Sequence, residues 1–343
     1  MCNIAGYIGK EPAAPILIEM MRRQEGLNGG YYTGIATLGP DGRLYHAKVV
    51  GDVETLVRTT DALTLPGTAG IVHSRTKSGG DRAWAHPFIG VKNTLAYIAN
   101  GSTGLFANLA LQSETAGRLS RAGYPFLSRS RETIEGYPSL PDGSCVHISE
   151  VMCRLIEANI DAGCDPASAM RLAYTQMPSE IVGLMIHTAM PQGIVASRIN
   201  QPLMAARHRD GWYLSSTALA FPRDGIEWTM PLAPLSTAVF TPEGMQLAPF
   251  ELSLPVAPIP WSAGHERVLQ VLETKRHQPV TMQTLKVETL DLWSEGALPQ
   301  TFMMLYEVLR SLHDSGRITF DTTTVPGVLA GQTAPQTRIR LAS

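Results

Sequence analysis

At 343 residues, with 44% apolar and 17% charged side chains and a formal net charge of −2, the chain can bury a sizeable core, either as one large domain with an appendage or as two domains. That balance offers no bulk attraction for nucleic acid or an anionic membrane, and there is neither a basic leader with an apolar run nor a membrane-spanning stretch of roughly twenty apolar residues, so a cytoplasmic protein is expected. Four cysteines, Cys2, Cys145, Cys153 and Cys164, form no CxxC pair and are too few for a disulfide framework, which predicts reduced thiols and no metal site.

Cys2 follows the initiator Met1 and opens the run Cys2-Asn3-Ile4-Ala5-Gly6-Tyr7-Ile8-Gly9. In that position it is either a small buried thiol at the start of a strand or, once Met1 is removed, a soft nucleophile that carries its own free α-amine. Such an amine has a reference pKa of roughly 8, so near neutrality a fraction is unprotonated and serves as general base for the thiol without a histidine.

Residues 2–9 read as a short buried strand, and Pro15 to Arg23 as a helix whose apolar face carries Ile16, Leu17, Met20 and Met21. Tyr31 to Leu38 and Arg43 to Val50, joined by Gly39-Pro40-Asp41-Gly42, predict a β-hairpin, with further buried strands at 69–74 and 94–99. From Gly101 to Cys164 the pattern is helical, most clearly over Ser149 to Ile160, where Val151, Met152, Leu155 and Ile156 share a face; Tyr124 to Ser144 reads as a long loop. Short strands follow near 181–188, 193–198, 203–207, 211–216 and 235–240. Strands, then helices, then antiparallel strands predict an α+β domain with layered sheets.

The three prolines of Leu254-Pro255-Val256-Ala257-Pro258-Ile259-Pro260 suit a semi-rigid linker, so the expected domains are 2–253 and 263–343 with 254–262 between them. In the second domain, helices are expected at Gly264 to Glu273 and Gln300 to Ser315, the latter stopped by Gly316. Strands at Arg317 to Phe320 and Arg338 to Leu341 then flank a Thr/Pro/Gly-rich loop, an arrangement similar to a winged helix. A domain that neutralises phosphates is distinctly basic, whereas residues 263–343 hold eight Lys/Arg against eight Asp/Glu. Packing or partner binding is therefore expected there, and no nucleic acid.

Three clusters join Cys2: His73-Ser74-Arg75 at a strand end, Ala85-His86-Pro87-Phe88 after a Gly-rich turn, and Ala99-Asn100-Gly101 at the next strand end. Taken with Cys2, and in this order, they resemble the N-terminal-nucleophile glutamine amidotransferases of class II, above all the glutaminase domain of glucosamine-6-phosphate synthase. Gly30 to Ala36 is similar to the family's RGYDSAGLA segment, one residue shorter and without the arginine. His73-Ser74-Arg75 resembles its HTR motif, Ala85-His86-Pro87 its NAHP motif and Asn100-Gly101 its HNG motif; Ser149-Glu150-Val151 resembles the DTEV helix start. Ile194 to Arg198 with Gln201-Pro202-Leu203, and Ser215 to Leu219, resemble the LVAARxGNPL and LASD segments, so the likeness spans roughly residues 2 to 250.

The resemblance implies a four-layer αββα sandwich of antiparallel sheets of the Ntn-hydrolase type, and an activity that needs no cofactor. It implies Cys2 as nucleophile attacking the side-chain amide of glutamine, with the Asn100 amide and the Gly101 backbone N–H as oxyanion donors, each typically worth about 3–4 kcal/mol. Arg75 has the planar fork for a bidentate grip on the substrate α-carboxylate. His86 sits with the substrate-binding residues, where in a His-Pro turn it fixes loop geometry and moves no proton; His73 on its strand is read the same way. One position departs from the family: where DTEV has the aspartate that holds the substrate amine, this chain has Ile148. Either Glu150, Glu135 or Asp142 substitutes, or the alignment slips across the preceding loop, or the substrate is another amide.

Residues 263–343 cannot house the sugar-phosphate isomerase region that follows the glutaminase domain in the synthase. The expectation is therefore a glutamine amidotransferase or glutaminase that hands ammonia to a separate protein partner, with a homo-oligomer also open. A hydrolase of the same fold acting on another amide, and a non-catalytic partner-binding protein, are the alternatives.

Overall fold

Alternation with a period of two sets the first strand: in β1 (Asn3–Gly9), Ile4 and Ile8 face one core while Ala5 and Tyr7 face another. The computed structural model describes residues 2–102 and 108–342; the part of the expected helical stretch at 103–107 and the processing of Met1 lie outside the described residues. Helix α1 (Ala13–Gln24) and the hairpin of β2 (Tyr32–Leu38) and β3 (Leu44–Val50) follow as expected. The short α2 (Val53–Thr59), started by the Asp52 carboxylate accepting from Thr55 N–H, was not expected. Strand β4 (Ala69–Arg75), the two-residue β5 (Phe88–Ile89) and β6 (Leu95–Ser102) come next.

Three helices follow, α3 (Leu109–Arg121), α4 (Ile148–Asp161) and α5 (Pro166–Gln176). The segment from Tyr124 to Ser144 contains no named helix or strand, as its composition predicts. Helix α5 lies beyond the predicted helical stretch. Its start is nonetheless conventional: the Asp165 carboxylate accepts from Ala167 and Ser168 N–H, and Pro166 occupies the first turn.

The remaining strands are β7 (Glu180–His187), β8 (Ile194–Arg198), β9 (Met204–His208), β10 (Gly211–Ser215), β11 (Ile226–Pro231), β12 (Ser236–Thr241) and β13 (Gly244–Pro249). They assemble a seven-stranded sheet in the order β11-β9-β10-β1-β4-β2-β3 and a six-stranded sheet in the order β13-β12-β8-β7-β6-β5. The pairings are antiparallel. Ile4, Ile71 and Leu214 of the first sheet meet Ile98, Leu184 and Phe240 of the second in the central core. Helix α1 covers the outer face of the first sheet through Leu17, Ile18 and Met21, and α4 and α5 cover the second through Met152, Ile156 and Met170. The layer order is helix, sheet, sheet, helix.

The proline-rich segment is strapped down. Leu298 N–H donates to the Pro255 carbonyl, Ala257 N–H donates to the Leu298 carbonyl, and Ala257 is buried. Helix α6 (Trp261–Thr274) then begins inside the range expected for the linker, followed by α7 (Met282–Glu288) and α8 (Thr301–Asp314) around a core of Val268, Leu272, Leu285, Leu305 and Leu309. Strands β14 (Ile318–Pro326) and β15 (Thr333–Leu341) pair along their whole length, and Val280, just before α7, bridges Ile339. The strands run longer than predicted because the threonines read as loop are β-branched and pair across the hairpin, Thr322 facing Thr337.

Candidate active site

The start of β1 and the end of β6, both interior strands of their sheets, come together where Cys2 and Asn100 are joined by two hydrogen bonds. Cys2 N donates to Asn100 Oδ1 at 2.9 Å, and Asn100 Nδ2 donates to the Cys2 carbonyl at 2.6 Å. The Cys2 Sγ lies 3.8 Å from Thr76 Oγ1, within a cavity of about 260 Å³ that Arg75, His86 and Gly101 also line. The residues singled out in the sequence therefore converge.

Gly101 pairs with Ile181 across the β6–β7 ladder, and a Cβ there would lie 2.6 Å from the Glu180 carbonyl. The close approach that this glycine permits is thus to the neighbouring strand. Arg75 ends β4 almost fully buried: Nε donates to Ser78 Oγ at 3.0 Å, Nη1 to the Trp84 carbonyl at 2.8 Å and Nη2 to the Gly79 carbonyl, with the guanidinium 4.1 Å above the Tyr32 ring. These contacts fix the plane of the fork and leave donors of the guanidinium for a carboxylate.

His86 stacks on His73 at 3.8 Å between ring centroids and meets His147 edge-on at 5.2 Å. Burial is the main cause that pushes His73 down to about 3, against its bond to the Ala99 carbonyl, and that drives His86 and His147 well below the usual imidazole range; the neighbouring cations add to it. All three rings are neutral at pH 7. Neither nitrogen of His86 has a hydrogen-bond partner among the described residues, and the ring packs in the cavity wall against His73, Phe88 and His147.

None of the carboxylates named as substitutes for the family aspartate reaches the cavity. Glu150 is buried and accepts from Leu127 and Ser128 N–H, the Ser128 hydroxyl and Arg154, which uses it to anchor the loop before α4. Glu135 is exposed and Asp142 pairs with Arg129 on the surface. Ile148 does line the cavity, as the motif alignment requires, and the one carboxylate among the described lining residues is Glu180, at the head of β7. Thr76, Tyr137 and His147 also line it and were not anticipated. A charged residue leading the all-buried run Glu180 to His187 was the available signal for Glu180; Tyr137 and His147 come from the irregular segment, where spacing carries no information.

No protein-family model matches the chain. A glutamine–fructose-6-phosphate aminotransferase (isomerizing) from Bacteroides thetaiotaomicron is 30% identical over 221 residues, 64% of this chain and 32% of the relative. The enzyme of the same name from Gluconobacter oxydans is 27% identical over 316 residues, 88% of this chain and 46% of the relative. In sequence the chain resembles these aminotransferases, which are class II glutamine amidotransferases.

The chain spans between 32% and 46% of the length of these curated relatives. A solved glutamine phosphoribosylpyrophosphate amidotransferase from B. subtilis, complexed with ADP and GMP, shares the amidotransferase fold: TM-score 0.59, 18% identity, 75% of this chain and 50% of that one. No helix among the described residues is long and apolar enough to cross a membrane.

Proposed function

We propose that this amidotransferase domain hydrolyses the side-chain amide of glutamine with Cys2 as nucleophile and delivers the ammonia to a separate protein partner. The observation that carries the reading is the pair of hydrogen bonds between Asn100 and Cys2 beside a cavity walled by Arg75. With Met1 removed, the Cys2 nitrogen is a free amine held by Asn100 Oδ1 beside its own thiol, and it takes the thiol proton as Sγ attacks the amide carbon. The second Asn100 Nδ2 hydrogen and the Gly101 N–H donate to the oxyanion; collapse expels ammonia, which leaves with the proton held by the α-ammonium. Water, deprotonated by the same amine, then cleaves the γ-glutamyl thioester to release glutamate and restore the thiol.

Arg75 holds the substrate α-carboxylate, and Glu180, whose Oε1 already accepts from Asn200 Nδ2 at 3.1 Å, supplies negative charge for the α-ammonium from the strand opposite Ile148. A second reading rests on Ile148 itself: an apolar wall at the amine end suits an amide without an α-amine. The division into an amidotransferase domain at 2–253, a strap at 254–262 and an accessory domain at 263–343 belongs to the same proposal. So does the likeness of the accessory domain to a winged helix, which the order α6, α7, α8, β14, β15 and the Val280–Ile339 bridge support.

Assay of glutamate and ammonia release from glutamine tests the function, together with mass spectrometry of the N-terminus. Activity in wild type, its loss in Cys2→Ala, and labelling of Cys2 by a diazoketone analogue of glutamine are expected. A protein that keeps Met1 in the cell, or that releases ammonia only from amides lacking an α-amine, overturns the glutamine reading.

A further inference from the structure

The residue next to the nucleophile is held by the far end of the chain. Asn3 Nδ2 donates to the Gln24 carbonyl at 2.8 Å and to the Asn28 carbonyl at 2.5 Å, and its Oδ1 accepts from the Tyr306 hydroxyl at 3.1 Å. The same hydroxyl accepts from Asn28 Nδ2 at 2.8 Å. Tyr306 lies on α8, in the C-terminal unit, with no exposed surface. Burial, to which the nearby Cys2 adds, pushes its phenol well above the usual range despite the Asn28 bond, so the hydroxyl remains a donor at any working pH.

The turn that carries Asn28 is itself clasped by the C-terminal hairpin. Thr337 N–H donates to the Gly26 carbonyl at 2.8 Å, and Gln332 Nε2 donates to the Val50 carbonyl at 3.1 Å. Gly26 and Gly30 have φ of +96° and +92°, and a Cβ on either would meet Thr337 Oγ1 at 2.8 Å or Pro335 at 2.9 Å. On the other side of the cavity, Lys77 Nζ donates to the Gly327 carbonyl at 3.1 Å. Helix and hairpin therefore grip the two segments that flank Cys2 and Arg75.

We propose that Tyr306 is a positioning residue for Cys2: by fixing Asn3 against Asn28 it sets the direction in which the thiol and its amine leave β1, which makes the C-terminal unit a working part of the amidase site. The proposal rests on the glutaminase reading for its catalytic consequence, while its geometric core concerns Cys2 alone. Asn100 fixes the Cys2 backbone from the second sheet, and Tyr306 fixes the adjoining residue from the C-terminal unit. Without the hydroxyl, Asn3 keeps its Nδ2 bonds to the Gln24 and Asn28 carbonyls but its buried Oδ1 loses its partner, and the first peptide of β1 gains freedom to swing the sulfur off the attack line. A misplacement on the order of 1 Å costs up to about a hundredfold in rate.

The test is Tyr306→Phe in the full chain, which keeps the ring in its core and removes only the oxygen. Expected are a fall of about tenfold or more in kcat for glutamine with KM changed less than about twofold, and a several-fold change in the rate of Cys2 alkylation by iodoacetamide. In an Asn3→Ala background the same substitution should cost nothing further, because the hydroxyl acts through Asn3; a purely structural role would add its cost in both backgrounds. Wild-type kcat and wild-type alkylation in folded Tyr306→Phe overturn the proposal, as do additive losses. Should Tyr306→Phe not fold, Asn28→Ala removes the other bond to the hydroxyl from a half-buried turn, and unchanged kcat and alkylation there overturn it equally. A wild-type chain inert toward glutamine sinks the glutaminase reading alone, since the alkylation rates still decide whether Tyr306 governs Cys2.

Discussion

Asn100 meets Cys2 with both ends of its amide, accepting from the nitrogen and donating to the carbonyl. An aspartate of the same shape keeps the acceptor and turns the donor into a second acceptor facing that carbonyl. Asn100→Asp is therefore expected to lower kcat about 10²- to 10³-fold with little change in KM, read from steady-state glutamine hydrolysis. Glu180→Gln removes charge and keeps volume; KM for glutamine should rise about tenfold while hydrolysis of an amide lacking the α-amine is untouched, and equal effects on both would deny Glu180 the ammonium. Cys2, Arg75, Asn100 and Gly101 could be picked out of the sequence because their short motifs, taken together and in order, resemble those of the class II amidotransferases, each motif being a weak signal by itself. Tyr306 could not, since within Met304, Leu305, Val308 and Leu309 it looks like one more core residue, and only folding brings its hydroxyl to Asn3. Glu150 misled in the opposite direction: a carboxylate near the expected position turned out to be saturated by backbone N–H groups and Arg154.

Strands β6 and β7 place Gly101 and Glu180 together, and the ladder is tight enough that any side chain at Gly101 must displace the Glu180 carbonyl. Gly101→Ala is expected to destabilise the protein by about 1–3 kcal/mol, measured by denaturant unfolding, and to weaken glutamine hydrolysis through the shifted oxyanion donor. Gly34 makes a similar demand: a Cβ there would collide with the carbonyl of His86, so the strand inside the glycine-rich motif sets how closely the His86 loop can approach. Elements buried on both faces, β1, β4, β6 and β7, were readable from their continuous apolar runs. Three went unread, and all are edges of their sheets: β5 is only two residues long, and β11 and β13 hold no buried residue, so they show no alternation against a core. Helices α2 and α7 were too short, at seven residues each, to display a periodic face.

Across the molecule, three buried imidazoles share one sign of pH dependence. His73, His86 and His147 titrate near 6.5 when unfolded and far lower when folded, so below pH 6.5 the unfolded chain binds more protons and stability falls as pH falls. Each contributes a slope of up to about 1.4 kcal/mol per pH unit in that window. Glu25 opposes them: burial pushes its carboxyl up to about 7 from 4.5, so its contribution is full below 4.5 and is lost as pH rises through 7. Burial also lowers His46 and His187, so the histidines outweigh Glu25; the denaturation midpoint should drop steadily from pH 6.5 toward pH 4, and a flat profile would contradict the buried, neutral state of the histidine cluster. Strand β1 pairs on one side with β10, at residues 211–215, and its first residue is clamped from residue 306. On the proposed reading, a chain emerging from the ribosome cannot organise Cys2 until residues 211–215 and residue 306 have been synthesised, and a fragment cut short before them is left without a competent site.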